Sequence, residues 1–296
     1  MAFYVISQKL KTLLKMKKIT LLLCVAMVSF TMNAQIEAPA PSPSSTLIQN
    51  VGLTDVTVEY SRPSMRGRTI FGDLVPFDKI WRTGANARTK ITFNKDVTFG
   101  GTAVKAGSYA VFTKPSATSW EVYLYDEPNA GGTPKVLDES KVAAKVTSEV
   151  VQMPMSMETF TIIIDDLSDN GATLGFLWES TYVPVKIGVA TDEAVMKSID
   201  KVMAGPNATD YYSAAVYYMN SGKDINKAKE WIDKSMSMTE KPAFWQLRQQ
   251  SLIYAKSGDK KGAIAAAKKS LEAAKVAGND DYVKMNTDSL KEWGAK

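Results

Sequence analysis

The sequence predicts two parts of different class: an antiparallel β-sandwich or barrel-like domain, then a small all-α domain of repeated helical hairpins. Two observations carry this. From about Thr46 to Val189 apolar residues recur with period two between short turn signals, and after Thr191 the period becomes helical and the strands stop. A third observation concerns stabilisation. The only cysteine, Cys24, lies in the N-terminal apolar run, so roughly 260 residues must fold without a disulfide, a length ample for one or two hydrophobic cores.

In chain order, residues 1–34 read as a signal peptide whose true start is Met16. Lys17 and Lys18 form a basic head, Ile19 to Phe30 an apolar stretch, and Met32-Asn33-Ala34 a small-residue exit before Gln35. That stretch is shorter than the roughly 20 residues a membrane span requires. The expectation is cleavage after Ala34, a periplasmic or extracellular protein, and no transmembrane segment in the mature chain. Five lysines leave with the signal, so 31 basic residues face 31 acidic ones. A neutral chain gives no reason to expect nucleic acid as a partner. The sequence has no histidine. Serine and cysteine triads and nearly all zinc, copper and haem sites are thereby excluded, and no cofactor is expected. Carboxylate, lysine or tyrosine chemistry remains open.

Residues 35–46, rich in proline and serine, read as an extended linker with nothing to bury. Residues 47–190 are the β-domain. "TDVTVEY", "SYAVFT", "WEVYLY", "FTIIID", "ATLGFLWES" and "VPVKIGV" alternate in the manner of strands. Asn170-Gly171 supplies the positive φ angles of a tight hairpin, so Phe160–Asp166 and Ala172–Ser180 are expected to pair antiparallel. The methionines Met153, Met155 and Met157 alternate as one face of a core strand would. The acidic stretch "DDLSDNG" lacks the spacing of a calcium loop, and a hairpin turn explains it.

Residues 191–296 contain two units of helix, Gly/Asp turn and helix, followed by a last helix from Asp280 to Trp293. Asn207 is placed to cap one of these helices. Gly222 aligns with Gly258, Ala228 with Ala263 and Ser235 with Ser270, an offset of about 35 residues. With Tyr254 near the end of its first helix and Ala263, Ala267 and Ser270 as small packing residues, the second unit resembles a tetratricopeptide repeat. The functional reading is a groove that docks a peptide or protein, and the alternative is a hairpin stack that merely caps the sandwich. So few repeats are expected to pack against the β-domain or another chain.

The segment from Ser61 to Arg88 holds Arg62, Arg66, Arg68, Arg82 and Arg88; the chain has only one further arginine, Arg248. Guanidinium differs from ammonium in its planar fork, which makes two parallel hydrogen bonds to a carboxylate, phosphate or sulfate. Trp81, Arg82, Thr83 and Asn86 bring an aromatic face, a fork donor, a hydroxyl and an amide close together, a set suited to an anion or a glycan. Arg62, Arg68, Trp81, Arg82, Thr83 and Asn86 are the candidate ligand-binding residues. In the alternative, the arginines pair with acids such as Glu59, Asp73 or Glu179 and fix the shape of the loop.

"YSRPSMRGRTIFG", "LVPFDKIWRTGAN", "VKAGSYAVFT", "WEVYLY" and "METFTI" together resemble the bacterial secreted domain of unknown function 2911, over roughly Asn50 to Val189. The resemblance implies a hallmark of Arg62, Gly67, Arg68, Gly72, Trp81, Arg82, Thr83, Gly84 and Asn86. It also implies glycine at position 78, which is Asp here, and no assigned activity. Two functional readings follow. One is an exported, non-enzymatic binding or scaffold protein, with the arginine loop as an anion or glycan site and the helical repeats docking a protein. The other is a carboxylate-dependent enzyme on anionic or glycan substrates, in which Arg68 and Arg82 clamp the anion and Glu59 or Asp73 acts as acid or base.

Overall fold

The computed structural model describes residues 13–18, a short helical segment, and residues 38–295. Most of the sequence read as a signal peptide lies outside the described residues. None of the described helices is long and apolar enough to cross a membrane.

Ten strands form two antiparallel sheets, as period two predicted. They are β1 (Ser44–Val51), β2 (Thr54–Ser61), β3 (Thr89–Phe93), β4 (Val97–Phe99), β5 (Thr102–Val104), β6 (Gly107–Pro115), β7 (Ser119–Tyr125), β8 (Val142–Glu149), β9 (Val151–Ser168) and β10 (Gly171–Val189). One sheet runs β1-β2-β3-β6-β7-β8 and the other β5-β4-β10-β9. Inward residues of both sheets, among them Trp120, Trp178, Phe93, Phe99, Phe160 and Phe176, are buried in a shared core. A smaller cluster covers the other face of the six-stranded sheet. There Phe112, Tyr123 and Tyr125 are buried under Leu137 and Ile80, because alternate residues of β6 and β7 point away from the core.

Three sequence expectations change. β1 begins at Ser44, inside the stretch read as a linker, because that stretch finds backbone partners on the arginine loop. "ATLGFLWES" and "VPVKIGV" belong to one long strand, β10, which shifts register on either side of Glu179. Such shifts bend a strand without ending it. Met153 and Met157 are only half-buried and Met155 is 64% exposed, since β9 from Val151 to Met157 is an edge that pairs with β10 alone. The β9–β10 hairpin forms where expected, pairing Leu174 with Ile164 and Phe176 with Ile162, but its turn is Asp169-Asn170 and neither Asn170 nor Gly171 holds a positive φ. Asp166, in the acidic stretch, is turned to Thr173 and Lys186.

The helices are α1 (Thr191–Val202), α2 (Ala208–Asn220), α3 (Ile225–Ser237), α4 (Phe244–Lys256), α5 (Lys260–Val276) and α6 (Asp280–Glu292). Asn207 caps α2 in a capping box with Asp210. Ala228, Ser235, Ala263 and Ser270, the aligned small residues, are fully buried. Ser235 Oγ donates to Ala208 O and Ser270 Oγ to Phe244 O, each at 2.7 Å, so the second helix of each hairpin is tied to the start of its first by the same bond. The helices bury their apolar stripes on one another. The link to the sandwich is small: Thr191 Oγ1 accepts from Leu53 N at 3.3 Å and Asn170 Oδ1 from Asp192 N at 3.1 Å.

Candidate functional site

The segment between β2 and β3 leaves the sandwich at one end and crosses to the other sheet. Without regular pairing of its own, it leaves carbonyl groups that need donors. It first lies along the edge of β9, where Met65 N donates to Glu158 O and Phe160 N to Pro63 O. Tyr60 adds its hydroxyl, which accepts from Ile162 N at 3.0 Å. An exposed sheet edge is closed in this way.

Four of the five arginines serve this framework. Arg62 Nε donates to Phe160 O at 3.1 Å and its Nη2 to Thr161 Oγ1 at 2.7 Å. Arg66 Nη2 reaches Pro41 O at 2.8 Å, while Arg68 holds Ser64 O and Met65 O at 2.7 and 2.9 Å. Arg88, only 8% exposed, binds three carbonyls of one turn, those of Glu127, Gly131 and Gly132, at 2.7, 3.3 and 2.9 Å. Its Nη1 also lies 3.6 Å from the Glu127 carboxylate. Lys141 first, and then Arg88, hold that carboxyl below its ordinary pKa. The expected pairing of the arginines with Glu59, Asp73 or Glu179 does not occur. Glu59 instead pairs with Lys90, its cross-strand neighbour, at 2.5 Å. Asp73 lies exposed in a turn, and Glu179 accepts from Ile70 N and Phe71 N.

The remaining candidates divide. Trp81 turns into the core, stacked 5.9 Å from Trp178 and edge-on to Phe160 and Trp120, with its Nε1 donating to Gly84 O. Thr83 is fully buried between Trp81 and Thr113. Thr83 thus has no exposed surface, and Trp81 is half-buried with its ring against the core. Thr83 holds φ 57, a conformation costly for a β-branched residue. Asp78 holds φ 58, which agrees with the glycine that the resemblance implied there. Asn86 donates to Ser42 O and Ser61 Oγ, so that Asn86, Arg62 and Arg66 together bind the backbone of residues 41–43. Arg82 is the exception among the arginines. Its side chain has no partner among the described residues, and its Nε is buried.

A cleft of 490 Å³ opens beside this framework, between the start of β1 and the 128–132 turn that Arg88 holds. Ser44, Ser45, Thr46 and Ser61 contribute hydroxyls, Asn86 its amide, and the Glu59–Lys90 pair forms part of the wall. Glu59 is the sole acid lining it. The two carboxylates proposed for catalysis are therefore not brought together there. Sequence reasoning missed Lys90 and the β1 hydroxyls, because only the strand register sets them beside Asn86.

No curated protein and no solved structure matches the chain. Residues 42–187, the stretch that holds the sandwich and its arginine loop, match the family model described as protein of unknown function (DUF2911).

Proposed function

We propose that the chain is an exported, non-enzymatic binding or scaffold protein, in which the sandwich takes a hydroxyl-rich ligand, a glycan, in the cleft beside Asn86. The tetratricopeptide-like hairpins dock a protein partner, and the protein works in the periplasm or outside the cell. One observation carries the ligand assignment. The cleft offers hydroxyls, an amide and loop backbone, while its charged groups are already paired, Glu59 with Lys90 and Arg88 with Glu127 and three carbonyls. Neutral hydroxyls find both donors and acceptors in such a setting; an anion finds no free cation. The lone carboxylate also argues against glycoside hydrolysis, which requires two carboxylates about 5–10 Å apart.

Docking on the hairpins is supported by Trp245, which is 48% exposed, and by Arg248 three residues on. Arg248 is half-buried and bonded to Ser289 Oγ, with no acid among the described residues in ion-pair contact. The signal-like N-terminus supports export.

The test is calorimetric titration of the chain from Gln35 onward with a panel of neutral and anionic oligosaccharides, beside Thr46→Trp. Thr46 is exposed on β1, so the indole fills the cleft without disturbing the core. Saturable binding of a neutral glycan that Thr46→Trp abolishes, with melting unchanged, is expected. Binding of anions alone, lost in Arg82→Ala and kept in Thr46→Trp, would overturn the assignment.

A further inference from the structure

A second recess, of 360 Å³, lies at the end of the sandwich away from regular pairing. Its lining is mixed: Phe71, Phe77, Met65, Val150 and the buried Trp120 are apolar, while Ser116, Gln152, Ser156, Ser180 and Thr181 are polar. Phe77 is 37% exposed. Glu179 is the sole charged residue in the lining.

Three features mark Glu179 as more than a loop anchor. It interrupts β10, with register shifts on both sides and φ 52, a conformation a non-glycine residue holds only against a cost. Its carboxylate accepts two long bonds, 3.2 Å from Ile70 N and 3.3 Å from Phe71 N. No lysine or arginine among the described residues pairs with it, although the chain's densest group of arginines lies in the same loop. Arg66 and Arg68 are held by the carbonyls of Pro41, Ser64 and Met65. An uncompensated, half-buried carboxylate beside aromatic rings favours a cation, since both the charge and the ring quadrupoles attract one. Neutral or anionic ligands gain from neither.

We infer that this recess binds a small organic cation of the alkylammonium class, with Glu179 as counter-ion and Phe77 and Phe71 as aromatic walls. The site is separate from the cleft beside Asn86 and does not depend on a glycan binding there.

The test is calorimetric titration of the full chain with choline and with 3,3-dimethylbutan-1-ol, its neutral carbon isostere. Choline is expected to bind saturably and the alcohol at least about tenfold more weakly, as a cation–aromatic and carboxylate site requires. Glu179→Gln keeps one oxygen for the loop N–H groups and removes the charge; it should abolish choline binding. Phe77→Ala, at an exposed ring, should weaken binding about tenfold without altering the fold. Absence of choline binding, equal binding of the two probes, or full binding by folded Glu179→Gln would each overturn the inference. Should Glu179→Gln fail to fold, undiminished binding by Phe77→Ala would do the same.

Discussion

Arg88→Met removes one guanidinium while leaving a side chain of similar reach, and the structure sets the size of the loss. Three carbonyls of the 127–132 turn lose their donor, and Phe112 loses a guanidinium centred 5.2 Å from its ring. A hydrogen bond from a charged donor contributes about 1.5–3 kcal/mol against an acceptor left unpaired. Gly131 and Gly132 lie on an exposed turn, so their carbonyls regain water and count toward the low end, about 1 kcal/mol each. The ring contact adds about 0.5–1 kcal/mol. Methionine carries no charge to strand in the interior, so no further penalty enters. The sum is about 4–6 kcal/mol, which for a domain of this size lowers the melting temperature by about 12–18 °C. Arg68→Met is the control: its side chain is exposed, and its loss should cost under about 1 kcal/mol. Urea unfolding followed by tryptophan fluorescence measures both, since Trp81, Trp120 and Trp178 all report on the sandwich core. Equal losses in the two variants would refute the idea that Arg88 is the tie on which the turn, and hence the cleft wall, depends.

Gly84 has φ 150, and a Cβ there would lie 2.9 Å from Ser61 O and 3.1 Å from Thr89 Oγ1; Gly84→Ala should therefore cost about 2–4 kcal/mol in urea unfolding. Ser235→Ala removes one buried bond to a helix start and should cost about 1–2 kcal/mol, and Ser270→Ala, which also removes the acceptor of Asn286 Nδ2, somewhat more. Calorimetry should show that loss in the helical transition and leave the sandwich transition in place. The Tyr254 hydroxyl, raised to about 12 by burial and then by its bond to Asp233, should titrate late in absorbance at high pH, together with Tyr123, which burial also raises to about 12. Because its folded pKa lies above the unfolded value of about 10, the stability it contributes is complete below pH 10 and falls as pH rises toward 12. Tyr254→Phe should flatten that fall. Arg82→Gln removes a buried, unpartnered Nε and should leave unfolding within about 1 kcal/mol of the parent, in contrast to Arg88→Met.

The strands were legible because half-buried sheets impose period two on side chains, and the β9–β10 hairpin because Asn and Gly mark a turn, although neither Asn170 nor Gly171 holds a positive φ. The bend at Glu179 was not, since a register shift leaves the alternation on either side intact. Met153 to Met157 show the same limit from another direction. Alternation reports that a strand has two faces, and says nothing of whether a second sheet covers one of them. Pairing of Glu59 with Lys90 depends on the register of β2 against β3, across a loop of 27 residues between Ser61 and Thr89. The helical repeat was more open to reading, because Ser235 and Ser270 make a bond that is the same in each hairpin and whose spacing survives in the sequence.

The arginines were hardest to interpret because their acceptors are main-chain carbonyls, and every residue carries one. Composition alone suggested anions or acidic partners; irregular backbone was the larger demand. Between Ser61 and Thr89 little of the chain pairs in a ladder, so its carbonyls and those it meets at 41–43 and 127–132 require donors from side chains. An ammonium at the end of a flexible stem can point at several acceptors without fixing their geometry. A guanidinium holds two or three in one plane, as Arg68 and Arg88 do. Rigidity of this kind sets the shape of the surfaces next to it, the cleft beside Asn86 and the recess beside Glu179. The groups left facing those surfaces are hydroxyls and an amide in the one and the Glu179 carboxylate in the other.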